Sequence, residues 1–167
     1  MIVVVDTNVP VVANGVSEQA SSDCVQTCAE RLGAIMRGQV KLVLDNRWKI
    51  LSEYRQNLRA SGADVGDRFL GWVLLNWTNP ERCDLVSITP IGGFENVFEE
   101  FPDDPALDGF DPADRKFIAV ACAHAERPPI LQAVDSKWLD FDDVFRENGI
   151  TVEFICQEDI QRLHEDN

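Results

Sequence analysis

The sequence predicts an α/β protein, a central, mostly parallel sheet of about five strands flanked by helices in an α/β/α sandwich. Three observations carry this. Ile2-Val3-Val4-Val5 and Ile130-Leu131-Gln132-Ala133-Val134 are short, largely apolar runs without the polar-apolar alternation of a half-exposed strand. Strand-like and helix-like patterns alternate along the chain, the signature of parallel β-α-β units. No internal repeat, low-complexity tract or linker interrupts the 167 residues, so a single domain over residues 1–167 is expected.

The elements follow in order. The first strand, Ile2–Val5, stops at Asp6-Thr7-Asn8, and Thr7 to Gly15 reads as one helical turn and a loop. Ser21-Ser22-Asp23 is an N-cap cluster opening a helix to about Met36, with Val25, Cys28, Leu32 and Ile35 on one face and Gly38 as its stop. Lys41-Leu42-Val43-Leu44 is a second strand, after which Asp45 or Asn46 caps a helix from Arg47 to about Ala60, striped by Ile50, Leu51, Tyr54 and Leu58. A helix from Val65 to Trp77 is expected to bury Phe69, Trp72, Val73 and Leu75. Cys83–Ile88 is a third strand, and Thr89–Asp111, holding three prolines and three glycines, is a long loop. Asp111-Pro112 opens a helix with proline at its first position, running to Ala125. Ile130–Val134 is the fourth strand, Trp138–Arg146 a helix stopped by Gly149, and Thr151–Ile155 the last strand, with a short acidic helix behind it.

Composition narrows the function classes. No stretch approaches the ~20 apolar residues of a membrane helix, and Met-Ile-Val-Val-Val-Asp lacks the basic start of a secretory signal, so a cytoplasmic protein without a membrane partner is expected. The five cysteines, Cys24, Cys28, Cys83, Cys122 and Cys156, form no CxxC pair and sit mostly in apolar patterns, which reads as reduced core thiols. A formal charge of −14 argues against broad electrostatic capture of nucleic acid, though not against a nucleic-acid substrate.

The chemistry-bearing residues are acids. Asp6 and Asp135 each follow an apolar strand, and ligands of open α/β sheets bind outside the carboxyl ends of strands. Asp114 lies in the first turn of a helix that starts at that same edge, and Glu53 lies at the margin of an apolar helix stripe. Each has an ordinary structural explanation: a turn cap for Asp6, an exposed helix position paired with Arg47 or Lys49 for Glu53, a helix cap for Asp114, a turn start for Asp135. Together they point to one site. Clustered carboxylates repel and must either take up protons or share a cation. All-oxygen donors favour Mg²⁺ or Mn²⁺, and no His-Cys or His-His spacing supports zinc; His124 and His164 are isolated. A carboxylate-held ion of this kind suits phosphodiester hydrolysis.

At these residues the chain resembles the PIN-domain nucleases. The strand-Asp-Thr-Asn opening is Val3-Val4-Val5-Asp6-Thr7-Asn8; the helical glutamate is Glu53 in Ile50-Leu51-Ser52-Glu53-Tyr54; the third acid is Asp114 in Asp114-Arg115-Lys116-Phe117-Ile118-Ala119-Val120-Ala121; the fourth is Asp135 in Ala133-Val134-Asp135-Ser136. The resemblance implies a Mg²⁺- or Mn²⁺-dependent endoribonuclease with Asp6, Glu53, Asp114 and Asp135 as metal-binding, catalytic acids and Thr7 and Asn8 supporting them. It also implies single-stranded or structured RNA as substrate, a VapC-like toxin setting with a cognate antitoxin partner, and a homodimer. Two positions depart from the family pattern: Val134 stands where Ser or Thr is frequent, and Lys137 where a further acid is frequent. Arg115, Lys116 and Lys137 are candidate phosphate contacts, with Arg47, Lys49, Arg55, Arg59 and Arg68 behind them; Trp48 and Trp138 are candidate base-stacking residues. The rival readings are a non-catalytic binding module of the same fold, a phosphatase on another doubly wound fold, which would want an Asp where Asn8 stands, and a DNA flap-type nuclease. The acidic Thr89–Asp111 segment reads as a solvated loop, with a lid or partner arm as its alternative.

Overall fold

A computed structural model describes all residues, 1–167. Five strands form one all-parallel sheet: β1 (Ile2–Val5), β2 (Lys41–Asp45), β3 (Cys83–Val86), β4 (Ile130–Gln132) and β5 (Val152–Phe154), in the spatial order β3-β2-β1-β4-β5. The helices are α1 (Asn8–Ala13), α2 (Ser22–Met36), α3 (Lys49–Asn57), α4 (Val65–Asn76), α5 (Arg115–Ala123), α6 (Asp142–Glu147) and α7 (Gln157–Glu165). No helix is long and apolar enough to cross a membrane.

The continuous apolar runs end up where their pattern requires. Val3, Val4, Val5, Leu42, Val43, Ile130 and Leu131 are almost wholly inaccessible, because helices on both faces cover the central strands. Strand order reverses beside β1: the chain moves outward through β2 and β3, then returns to place β4 on the other side of β1. The registers Val4–Ile130 and Val5–Leu131, with the Asp6 N–H donating to the Leu131 carbonyl, carry the carboxyl ends of β1 and β4 out side by side. Such a switch point opens a crevice beyond the strand ends.

Local chemistry sets the boundaries. The Ser21 hydroxyl accepts the Cys24 N–H and starts α2, and Gly38 ends its connection with a φ of 76°. Asp45 ends β2 and accepts the N–H groups of Arg47, Lys49 and Ile50, each at 2.9 Å, so this buried carboxylate holds the turn and start of α3. α3 begins at Lys49, two residues later than expected, because Trp48 takes a left-handed conformation with φ 62°. Asp111 caps a 3-10 turn over Pro112–Asp114 before α5 begins, and a second 3-10 stretch, Ser136–Phe141, replaces the first part of the expected Trp138–Arg146 helix.

Three expectations are corrected. Leu75 is 85% exposed, because α4 turns Phe69, Leu70 and Val73 inward instead. Cys24 and Cys156 are joined by a disulfide between the start of α2 and the start of α7, so these two are not reduced thiols, whereas Cys28, Cys83 and Cys122 are free. The Thr89–Asp111 segment is not a plain solvated loop: Phe98, Leu107 and Phe110 are buried, and the Phe110 ring packs edge-on against Trp138, Phe141 and Phe145.

Candidate metal centre

One cavity of about 240 Å³ is lined by Asp6, Thr7, Asn8, Val11, Glu53, Asn57, Asp114 and Asp135. The four acids singled out in the sequence therefore meet, each delivered by a different part of the chain. Asp6 follows β1, Glu53 lies inside α3, Asp114 sits at the junction of the 3-10 turn and α5, and Asp135 caps the 3-10 stretch after β4. Thr7 and Asn8 line the same space.

Asp6, Asp114 and Asp135 are each held by hydrogen bonds to one carboxyl oxygen. Asp6 Oδ2 accepts the Asn8 N–H and the Gln132 Nε2 amide, both at 3.0 Å, while Oδ1 accepts nothing. Asp114 Oδ2 accepts the indole N–H of Trp138 at 3.2 Å. Asp135 Oδ1 accepts the Lys137 N–H at 3.2 Å. Glu53 Oε2 lies 3.0 Å from Lys116 Nζ, near enough for charge pairing, yet it makes no hydrogen bond. The buried Thr7 hydroxyl oxygen also lacks a partner. Asn8 ties the two strand ends together, its Oδ1 accepting the Val134 N–H at 2.7 Å.

Burial and, after it, neighbouring charge raise three of the acids. Asp6, 5% exposed, is held well above the usual carboxylate range, first by burial and then by the charge of Asp114, with Glu53 and Asp135 adding to it and the Asn8 N–H opposing. Asp114 is pushed up to about 6 by burial, then by Asp111 and Asp135, against the Trp138 hydrogen bond. Asp135 is raised by burial, partly offset by the Lys137 N–H and ammonium. Among His, Cys, Asp and Glu side chains, however, no three carboxylates bring ligand atoms within 4.8 Å of one another. The acids ring a gap instead of closing on it.

A hard divalent ion fits this donor set. All four acids offer oxygen atoms, two polar oxygens at the rim lack hydrogen bonds, and a positive charge would offset the burial and repulsion that raise Asp6 and Asp114.

The cationic and aromatic candidates fare differently. Lys116 is 8% exposed, pairs with Glu53 and donates to the Ala113 carbonyl. The Arg115 guanidinium donates to the carbonyls of Asp108 and Phe110 and lies over the Phe101 ring. Trp138 is 1% exposed and serves Asp114 and the aromatic core, so it offers no face for stacking a base. Trp48 packs edge-on against Trp77, with Arg55 over its ring. Lys137 alone of the three flanking cations is exposed, and it lines a larger polar cleft of about 700 Å³ that shares Asn8 and Asp135 with the acidic cavity. Arg55, Arg59 and Arg68 are exposed on α3, its following turn and α4. His124 pairs with Asp84 and His164 with Asp140, the latter pair on the wall of the larger cleft.

Sequence reading missed Gln132. It is fully buried, donates to Asp6 and accepts the Asp135 N–H at 3.2 Å, so one amide fixes both strand-end acids. The available signal was a lone polar residue within an otherwise apolar strand. Tyr54 was read as core, and it is; its hydroxyl also donates to the Val5 carbonyl at 2.5 Å, which locks α3 and thereby Glu53 to the end of β1.

No family profile, curated protein or solved structure matches this chain.

Proposed function

We infer that the protein is a metal-dependent endonuclease hydrolysing phosphodiester bonds, with RNA as the substrate class implied by the resemblance of its four acidic motifs to the PIN-domain nucleases. The observation that carries this is the convergence of Asp6, Glu53, Asp114 and Asp135 on one small cavity at the switch point of a parallel sheet. Four acids at one rim exceed what capping requires, and Asp6, Asp114 and Asp135 are each raised by burial and, after it, by neighbouring acids.

When bound, Mg²⁺ or Mn²⁺ supplies an activated water and stabilises charge on a phosphoryl oxygen. The chain's own residues do the rest. Asp6, clamped by Gln132 and the Asn8 N–H, presents Oδ1 in a fixed direction. Glu53, Asp114 and Asp135 complete the negative rim, and Lys116 holds Glu53 beside it. Exposed Lys137, on the wall of the adjoining cleft, is the cation that supports a contact with a backbone phosphate on this reading.

The test is incubation of end-labelled single-stranded RNA and DNA with the protein and Mn²⁺ or Mg²⁺, resolved on gels, alongside Asp114→Asn. Cleavage of RNA that requires the ion and falls at least ~100-fold in the variant is expected. Equal cleavage by wild type and variant, or none with either ion across mixed sequences, would refute the reading.

A further inference from the structure

The molecule holds a second cluster of ligating atoms on the side where α2 and α7 meet, and its chemistry is soft where the first is hard. The sulfurs of Cys24, Cys28 and Cys156 all lie within 4.8 Å of one another. Cys24 and Cys28 are one turn apart on α2, so both side chains share a face. Cys156 immediately precedes α7, and its sulfur is 3.9 Å from that of Cys28. A disulfide needs two sulfurs, and Cys24–Cys156 accounts for two. The third sits at a separation that has its own meaning. Thiolates bound tetrahedrally at ~2.3 Å from zinc are about 3.8 Å apart.

The surroundings supply what such a site needs. Cys24 lies in the first turn of the 15-residue helix α2, and Cys156 caps the nine-residue helix α7, so two helix N-termini converge on the sulfurs and favour thiolate. A cavity of about 250 Å³ opens beside Cys24 and Cys156 and is also lined by Asp159, a buried acid that accepts the Ser21 N–H at 2.6 Å. That cavity gives an ion a way in and leaves a fourth coordination position to water.

We propose that Cys24, Cys28 and Cys156 form a redox-gated site for a soft divalent ion of the zinc class, closed when the Cys24–Cys156 disulfide is formed and opened by its reduction. A phosphine reductant and one water break the S–S bond; the phosphine is oxidised to its oxide and two thiols result. Binding then displaces three protons, one from each thiol, as three S–metal bonds form. Thiol exchange by Cys28 on the neighbouring disulfide would only change which two of the three sulfurs are joined, leaving the third as a thiol. A bound metal instead deprotonates each coordinating thiol outright. This site is independent of the acidic centre in both position and chemistry.

The test titrates Zn²⁺ into the full chain against a chromogenic chelator, after phosphine reduction and after oxidation, and repeats the titration with Co²⁺. Thiolate-to-cobalt charge-transfer absorption reports sulfur ligation and is blind to carboxylates. One ion per reduced chain with that absorption is expected, together with none on the oxidised chain and an affinity at least about 100-fold weaker in Cys28→Ser, which keeps the disulfide pair. Circular dichroism of the reduced protein, with and without Zn²⁺, covers the case in which reduction loosens the fold: structure restored by Zn²⁺ supports the site. Failure of the reduced chain to bind, binding without charge-transfer absorption, equal binding by the oxidised chain, or unchanged affinity in Cys28→Ser would each overturn it. None of these outcomes depends on nuclease activity.

Discussion

Asp114→Asn should make the ion-free protein more stable at neutral pH. Asp114 is raised from an ordinary 3.8 to about 6, by burial first and by neighbouring acids second. An acid whose folded value lies above its unfolded one contributes stability in its protonated form. That contribution is full below the unfolded value and is lost as pH rises through the folded one. At pH 7.5 the gap corresponds to about 3 kcal/mol of strain on the ionised carboxylate. Asparagine removes the charge, and its amide oxygen can still accept the Trp138 N–H. For a chain of this size the gain should raise Tm by about 5–10 °C in a chelator-containing buffer. The same linkage makes ion-free wild type about 1.4 kcal/mol more stable at pH 5 than at pH 7.5 through this group alone. Adding Mg²⁺ or Mn²⁺ at pH 7.5 should raise the wild-type Tm and leave the variant almost unmoved. Scanning fluorimetry at both pH values, with and without ion, measures all of this. A variant that melts below wild type in chelator, combined with a wild-type Tm that is flat between pH 5 and 7.5, would refute the claim that repulsion and burial strain the acidic rim.

Other perturbations test the supports of that rim. Lys116→Met removes the ammonium beside Glu53; it should cost about 2 kcal/mol without ion and enlarge the Mg²⁺-induced rise in Tm, read by the same melts. Asp45→Ala strips the acceptor from three N–H groups at the start of α3 and should destabilise by about 3 kcal/mol in urea unfolding, irrespective of metal. Gly66→Ala tests packing against propensity. Gly66 lies in the first turn of α4, where alanine's advantage over glycine is below the ~1 kcal/mol of a helix interior, and a Cβ here would fall 1.9 Å from the Pro10 carbonyl oxygen, so a net loss of about 2 kcal/mol is expected in the same assay.

The layers of the fold were legible because their signals are local. Unbroken β-branched runs marked strands covered on both faces, and Ser21, Gly38 and Gly149 marked helix ends through backbone requirements that depend on few neighbours. The candidate acids were legible for a related reason: strand ends and helix starts in a parallel sheet face one edge wherever the strands fall in the order. What stayed hidden depended on tertiary contact. The long loop looked acidic and exposed because Asp103, Asp104 and Asp108 cluster among prolines and glycines, yet Phe98, Leu107 and Phe110 find a core that only the folded chain creates. Arg115 and Lys116 looked like phosphate ligands from their position beside Asp114, while their reach toward Phe101 and Glu53 needed coordinates. The disulfide joins positions 132 residues apart, and no spacing in the sequence pairs them.

Three carboxylates at the ends of parallel strands have different fates here, and the difference lies in donor count. Asp45, the last residue of β2, collects three backbone N–H groups from its own turn and does not line the acidic cavity. Asp6, after β1, receives one N–H and one side-chain amide on a single oxygen and confronts three other acids. Asp135, past β4, is anchored by one N–H and shares that confrontation. A capping aspartate is one whose donors come from its own turn. An aspartate left short of donors among like charges is unfinished until a cation or a proton arrives. By that measure Asp6, not Asp45, is the residue whose substitution should uncouple ion binding from folding, although both occupy equivalent positions in neighbouring strands.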